Sequence, residues 1–370
     1  MTTCLILGAG ATLANALHFH GERMIAQNPP LDYTFFDKIS ALGITIPTEL
    51  RAYAAGNGTD PFKLKQGQPG LRMEEFFKDL FSDFQGASRG GRTALAYEQL
   101  IDVYIRVLRM TTDWMAEEGR RGGPIGRLIA AAPGNEDLTV MTFNQDLVIE
   151  NEIVKRARLQ PRWCIEQGYG SMSARLEQSS VVGGATRGLF PAHGTSCDHS
   201  TPITVLKLHG SLNWYVRMSG RHPSRAVLSG SGTTPQLHCT RRREVPHQLR
   251  FTRTGARSGR TRWYTWPVVV PPVHGKEVLI RNFVPEVWAD AEAALRDAER
   301  IVFVGYSLPM LDVNAERLFK RSIAANTTAD WIDVVNPSPD AAQRYAAIAS
   351  PTTVRWYYSI DSFLTADGFV

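Results

Sequence analysis

Short apolar runs and longer stretches of helical spacing alternate along this chain. Residues 4–7 form a compact apolar run, the turn Gly8-Ala9-Gly10-Ala11-Thr12 follows at once, and 14–26 has helical spacing. A buried strand that enters a glycine turn and then a helix is the opening of a nucleotide-binding α/β unit. Similar runs, bounded by polar or turn residues, predict strands at 138–142, 204–208, 267–270, 301–304 and 331–335. Helices are predicted over 285–300 and 313–325. The alternation implies an α/β fold, a Rossmann-like and mostly parallel sheet with helices on both faces.

The block 33–132 reads differently. Met73, Phe76, Phe77, Leu80, Phe81 and Phe84 share one helical face, and Leu95, Leu100, Val103, Tyr104, Val107 and Leu108 repeat the pattern. Such stripes read as core. The block is therefore expected to be a large helical insertion, or small subdomain, within one domain spanning 1–370.

Composition sets outer bounds. The chain has 370 residues, 43% hydrophobic and 21% charged, enough for a substantial core. The apolar N-terminus ends in Ala-Asn-Ala but lacks a positive leading region and is broken by glycines, so it reads as strand and turn, not as a signal peptide. No apolar run approaches the roughly 18 residues of a membrane span. A cytoplasmic protein without membrane contact is expected. The four cysteines, Cys4, Cys164, Cys197 and Cys239, form no C-x-x-C pair. That argues against a four-cysteine zinc site or a disulfide framework and for reduced thiols, with no metal.

Net charge is +5, concentrated in a basic, Arg-rich insertion loop at 215–266. From Arg217 to Arg262 only Glu244 opposes the arginines. Such a loop suits phosphates or an acidic partner, or is simply a solvated face. Direct nucleic-acid binding is left open.

Five polar motifs stand at predicted strand ends, where open α/β sheets bind ligands. In GAGAT, glycines allow close backbone approach to a pyrophosphate at a helix N-terminus. Leu13 stands where the dehydrogenase fingerprint has its third glycine, and Asp32 is the only candidate for the acidic residue expected further on. That disfavours an ordinary hydride-transferring dehydrogenase. In TFNQD, Asn144 offers donor and acceptor and Asp146 acceptors alone, though both also suit a helix cap. In KLHGS, His209 is a candidate base near neutral pH. GYSLP, followed by Asp312, offers Gly305 and Ser307, and VVNP offers Asn336; both also fit a capped turn.

In this order the five motifs resemble the sirtuin-like superfamily: its GAG[IA]S loop, T-x-N-x-D element, His-Gly pair, G-[TY]-S-L loop and ribose-binding Asn. The resemblance implies NAD as substrate. Gly8, Ala9, Gly10 and Thr12 would cradle the pyrophosphate. Asn144 would order the nicotinamide ribose and a water, and Asp146 would hold the carboxamide. His209 would be the base. Gly305 and Ser307 would meet phosphate and ribose, and Asn336 the adenosine ribose.

Two departures bear on the activity implied. The paired zinc cysteines of protein-deacylating members are missing. Their G-I-P-D-F-R stretch does not follow the glycine loop, and its nearest echo is Pro30-Leu31-Asp32-Tyr33-Thr34-Phe35-Phe36. The pattern is closer to the bacterial antiphage-defence branch, whose members hydrolyse NAD to nicotinamide and ADP-ribose and deplete the infected cell. The resemblance then implies a homo-oligomer, or activation by a separately encoded partner such as a hexameric ATPase translocase or an Argonaute-type protein. The alternatives are an NAD-dependent deacylase or ADP-ribosyltransferase, and a non-enzymatic module that senses NAD or ADP-ribose.

Overall fold

A computed structural model describes residues 2–20, 27–57, 60–62, 72–86, 91–116, 122–133, 137–165, 167–178, 202–219, 237–239, 263–271, 276–309, 312–350 and 352–366. The chain begins with β1 (Thr2–Leu7) and α1 (Ala9–His20). Five helices follow: α2 (Phe35–Ala41), α3 (Thr48–Gly56), α4 (Met73–Gly86), α5 (Arg92–Thr112) and α6 (Pro124–Ala131). Then come β2 (Asp137–Thr142), α7 (Val148–Val154), β3 (Leu176–Gln178), β4 (Ile203–Lys207), β5 (Gly210–Ser219), β6 (Leu237–Cys239) and β7 (Trp263–Val269). The last third alternates α8 (Glu277–Phe283), α9 (Pro285–Asp297), β8 (Arg300–Val304), α10 (Val313–Ala325), β9 (Trp331–Val335), α11 (Pro339–Ala349), β10 (Thr353–Tyr357) and α12 (Ile360–Ala366).

Six strands form one all-parallel sheet in the order β10-β9-β8-β1-β2-β4. Counted along this sheet alone, that is the 3-2-1-4-5-6 order of a Rossmann-like fold, with the order reversing between β1 and β8. Both of these central strands are buried almost throughout, which explains their unbroken apolar runs. The strands also end in register. Lys207 pairs with Thr142, Thr142 with Leu7, Leu7 with Val304, Val304 with Val335 and Val335 with Tyr357. The segments after these strands therefore leave the sheet side by side along one edge. Asp333, fully buried in β9, is held by Arg355 from β10 at 2.7 and 3.0 Å and by Arg300 from β8 at 3.5 Å.

A second, four-stranded sheet has the order β3-β6-β5-β7, with β5 antiparallel to both β6 and β7. The run at 267–270 is a strand, but it belongs to this sheet and not to the parallel one. Helix α1 starts earlier than its spacing suggests, at Ala9, and 21–26 lie outside the described residues. Most of 215–266 also lies outside them; its ends belong to β5 and β7. Cys164 is disulfide-bonded, which corrects the expectation that all four thiols are reduced. Among the described residues, no helix is long and apolar enough to cross a membrane.

Within 33–132 the aromatic stripes pack on one another and join the hydrophobic core shared with the sheet. Phe35 packs 6.4 Å from Phe77 and 5.8 Å from Tyr104, and Phe84 stacks on Tyr97 at 4.9 Å. Helix α6 instead joins the layer around the sheet. Asn15 on α1 accepts from the Ile125 N–H, and Glu152 on α7 accepts from the Gly123 N–H at 2.6 Å.

Two glycines with similar backbone angles separate strain from crowding. Gly43 has φ 64° and open space where a Cβ would sit, whereas Gly305 has φ 60° and a Cβ there would meet Ala11 N at 2.2 Å. Gly43→Ala is expected to cost about 1–2 kcal/mol, the penalty of left-handed backbone alone. Gly305→Ala adds overpacking against backbone and should cost roughly 2–5 kcal/mol in total. Urea unfolding midpoints check both; equal losses would contradict the close approach.

Candidate active site

The glycine turn after β1 and the turn after β8 interlock at the point where strand order reverses. Gly10 N–H donates to Gly305 C=O at 2.9 Å, Gly8 N–H to Val304 C=O at 3.0 Å, and Ala11 N–H to Gly8 C=O at 2.9 Å. A Cβ on Gly8 would meet the Tyr306 backbone at 2.5 Å, and one on Gly10 would meet Gly305 O at 2.8 Å. Packing between the turns is thus enough to demand these glycines. Leu308, further along the second turn, has φ 50°, which only a few per cent of non-glycine residues adopt.

The TFNQD loop after β2 is fastened to this seam residue by residue. Asn144 donates both amide hydrogens, to Gly8 C=O at 2.9 Å and to Thr12 Oγ1 at 2.8 Å. The Thr12 hydroxyl donates to Asp146 Oδ2 at 3.1 Å, and Asp146 Oδ1 accepts from the Val148 N–H at 3.0 Å, capping the start of α7. Gln145 accepts from the Tyr104 hydroxyl at 2.9 Å and donates to Val270 C=O at 3.0 Å, so it ties the helical block to the second sheet. Lys207, wholly buried at the end of β4, donates to the Asp146 carbonyl and to Glu150 Oε1 at 3.1 Å. Beneath it Tyr169 donates to Glu150 Oε1 at 3.0 Å and accepts from Asn213.

His209 follows β4 and is buried. Its ring meets Phe143 edge-on at 5.1 Å and lies 6.5 Å from Trp288; Phe143 in turn stacks on Tyr306 at 4.4 Å. Its Nε2 is 3.1 Å from Lys276 Nζ, and Lys276 donates to Asp312 Oδ1 at 2.8 Å. The Tyr306 hydroxyl donates to Asp312 Oδ2 at 2.9 Å, and Asp312 also caps α10. Burial, reinforced by the Lys276 charge and opposed by Asp312, pushes His209 down to about 3. The imidazole is therefore neutral across the physiological range. Burial works to raise Asp312, but Lys276, His209 and the hydrogen bonds from Lys276 and Tyr306 outweigh it and hold the carboxyl below its usual range.

Gly8, Gly10, Thr12, Asn144, Asp146 and Gly305 thus form one connected set, and Ala9 is exposed at its rim. His209 stands one ring away, beyond Phe143. Ser307 is exposed, and its carbonyl, not its hydroxyl, accepts from Arg344. Asn336, buried at the end of β9, commits its side-chain oxygen to the Ser338 N–H at 3.0 Å and acts as a turn cap. Asp32 accepts from the Glu74 N–H at 2.9 Å, which commits it to the start of α4. Lys276, Tyr306, Gln145, Lys207 and Glu74 received no role from the sequence. Lys207, Gln145 and Tyr306 lie inside the quoted motifs, whereas Lys276 carries no local signal.

A groove of about 870 Å3 runs between α8, α9 and α10, with Ile280, Trp288 and Leu318 among its lining residues. Its lining residue Trp288 also meets the His209 ring. No known protein family matches the chain, and no curated protein matches it significantly.

Glu74, half-buried, is pushed up to about 7 by burial first and then by Asp32 and Asp312. It binds its proton more tightly folded than unfolded, so its ionisation opposes folding as pH rises from its ordinary 4.5 to about 7. Glu74→Gln should match wild-type stability below this window and exceed it above, by urea midpoint. No gain at pH 8 would contradict the placement of this carboxyl.

Proposed function

We propose that this chain is a sirtuin-like enzyme that hydrolyses NAD to nicotinamide and ADP-ribose. The observation that carries this is the hydrogen-bonded set of Gly8, Thr12, Asn144 and Asp146 at the strand-order reversal, with a neutral His209 one ring away. Ligands of open α/β sheets occupy that position.

The chemistry has two demands. Breaking the C–N bond releases neutral nicotinamide and leaves positive charge on the ribose. Asn144 gives both amide hydrogens to protein acceptors, so its carbonyl oxygen is the end it can offer. That oxygen suits a ribose hydroxyl, a water, or the developing charge. Water then attacks the ribose carbon and loses a proton, which a neutral imidazole takes up. The first-turn α1 amides other than Gly10 and Ala11, whose N–H groups are already engaged, would meet the pyrophosphate.

In the cell, this activity serves antiphage defence by depleting NAD. Its trigger is self-assembly or a separately encoded partner, since free hydrolysis would harm the host. Following nicotinamide and ADP-ribose in NAD, with and without candidate partners, tests the reading. Free ADP-ribose should appear and fall by at least ~100-fold in Asn144→Ala and His209→Ala. Release that needs an acyl-lysine peptide would replace hydrolysis with deacylation. Tight NAD binding with no release under any activating condition would falsify both.

A further inference from the structure

The candidate base is already engaged. His209 Nε2 lies 3.1 Å from Lys276 Nζ in a buried setting. An ammonium has donors and no acceptor, so Nε2 accepts and the proton of the neutral ring sits on Nδ1. Lys276 is buried as well and is anchored by Asp312 Oδ1 at 2.8 Å. The other oxygen, Asp312 Oδ2, stands 4.0 Å from His209 Nε2 and accepts from Tyr306.

Two groups with opposite requirements thus stand at one ring nitrogen. Lys276 needs a lone pair there, and Asp312 needs a proton there. Among the described residues, the rings of Phe143 and Trp288 also meet His209, and they carry no charge. Glu74 on α4 acts on Lys276 and Asp312 through space, and it becomes ionised only as pH approaches about 7.

We propose that Lys276 is a positioning residue that sets the tautomer of His209: while docked it holds the ring proton on Nδ1, and when it withdraws that proton moves to Nε2, which then donates to Asp312. For function this rests on His209 serving NAD cleavage as base. With Lys276 docked, the Nε2 lone pair is taken, and a protonated ring would sit against a buried ammonium. With Lys276 withdrawn, Asp312 orients the ring and stabilises the imidazolium, as carboxylates do for catalytic histidines. Nδ1 is then the nitrogen that accepts the proton. The lysine thereby divides a non-basic from a basic form of the site without moving the histidine.

The test is the ring 1H–15N spectrum of full-length protein labelled with 15N-histidine, in wild type and Lys276→Met, between pH 5 and 8. Wild-type His209 should show the Nδ1–H tautomer throughout and not titrate. In Lys276→Met it should switch to Nε2–H and titrate within that range. An unchanged His209 signal in the folded variant overturns the proposal. Lys276→Met leaves Asp312 buried without its partner and risks unfolding. Lys276→Met/Asp312→Ala removes both claims on Nε2 and should give mixed tautomers; a retained pure Nδ1–H form overturns the proposal equally. These spectra need no NAD, so they are decided separately from the hydrolase reading, which nicotinamide release decides.

Discussion

Gly10 donates to Gly305 across the seam between β1 and β8, so closely that neither residue has room for a Cβ. This contact joins the carboxyl ends of the two strands at which the sheet reverses its order. Because the parallel strands end in one row, every segment leaving that row is placed relative to the seam. Asn144 reaches Gly8 and Thr12 only because the glycine turn is pinned where it is. A shift of the seam by one residue would part these groups and leave buried polar atoms unmatched, at a cost of about 1–3 kcal/mol each.

Around the seam, polar groups are buried but partnered. Lys207 and Glu150 are wholly buried as a pair, and Lys207 also holds the Asp146 carbonyl. Such a pair adds little net stability, yet losing one member is costly, so it fixes geometry more than it strengthens the fold. It sets the backbone from which Asn144 and Asp146 project. The same logic runs on the other side of Phe143, where Lys276, Asp312 and Tyr306 surround His209. There burial keeps the imidazole neutral, with a lysine ammonium against its Nε2.

The parallel sheet was legible because its central strands are buried on both faces and therefore read as apolar runs. Other elements carried weaker signals. The edge strand β10, TVRWY, is only partly buried and has no such run. In β5, Ser211 and Asn213 are fully buried but satisfy each other at 2.6 Å, so a core strand presents polar letters. Pro267 to Val269 showed that it was a strand but not which sheet it joins, since pairing partners leave no local trace. For the site, the strand-end motifs placed Gly8, Thr12, Asn144 and Asp146 together, because their proximity follows from the sheet. Asn336 was legible as a polar strand end, and its oxygen turned out to be committed to a local cap. Lys276 was invisible: it contacts His209 from 67 positions away in sequence, with no spacing rule linking them.

The site proposed to hold NAD is the interlocked seam. Hydrogen–deuterium exchange of the full chain with and without NAD tests it most directly, because it locates binding without requiring turnover. Slowed exchange is expected in the segments after β1, β2, β4 and β8, around residues 8–16, 142–150, 208–210 and 305–309. Protection in the groove between α8, α9 and α10 instead, with the seam unchanged at saturating NAD, would contradict it.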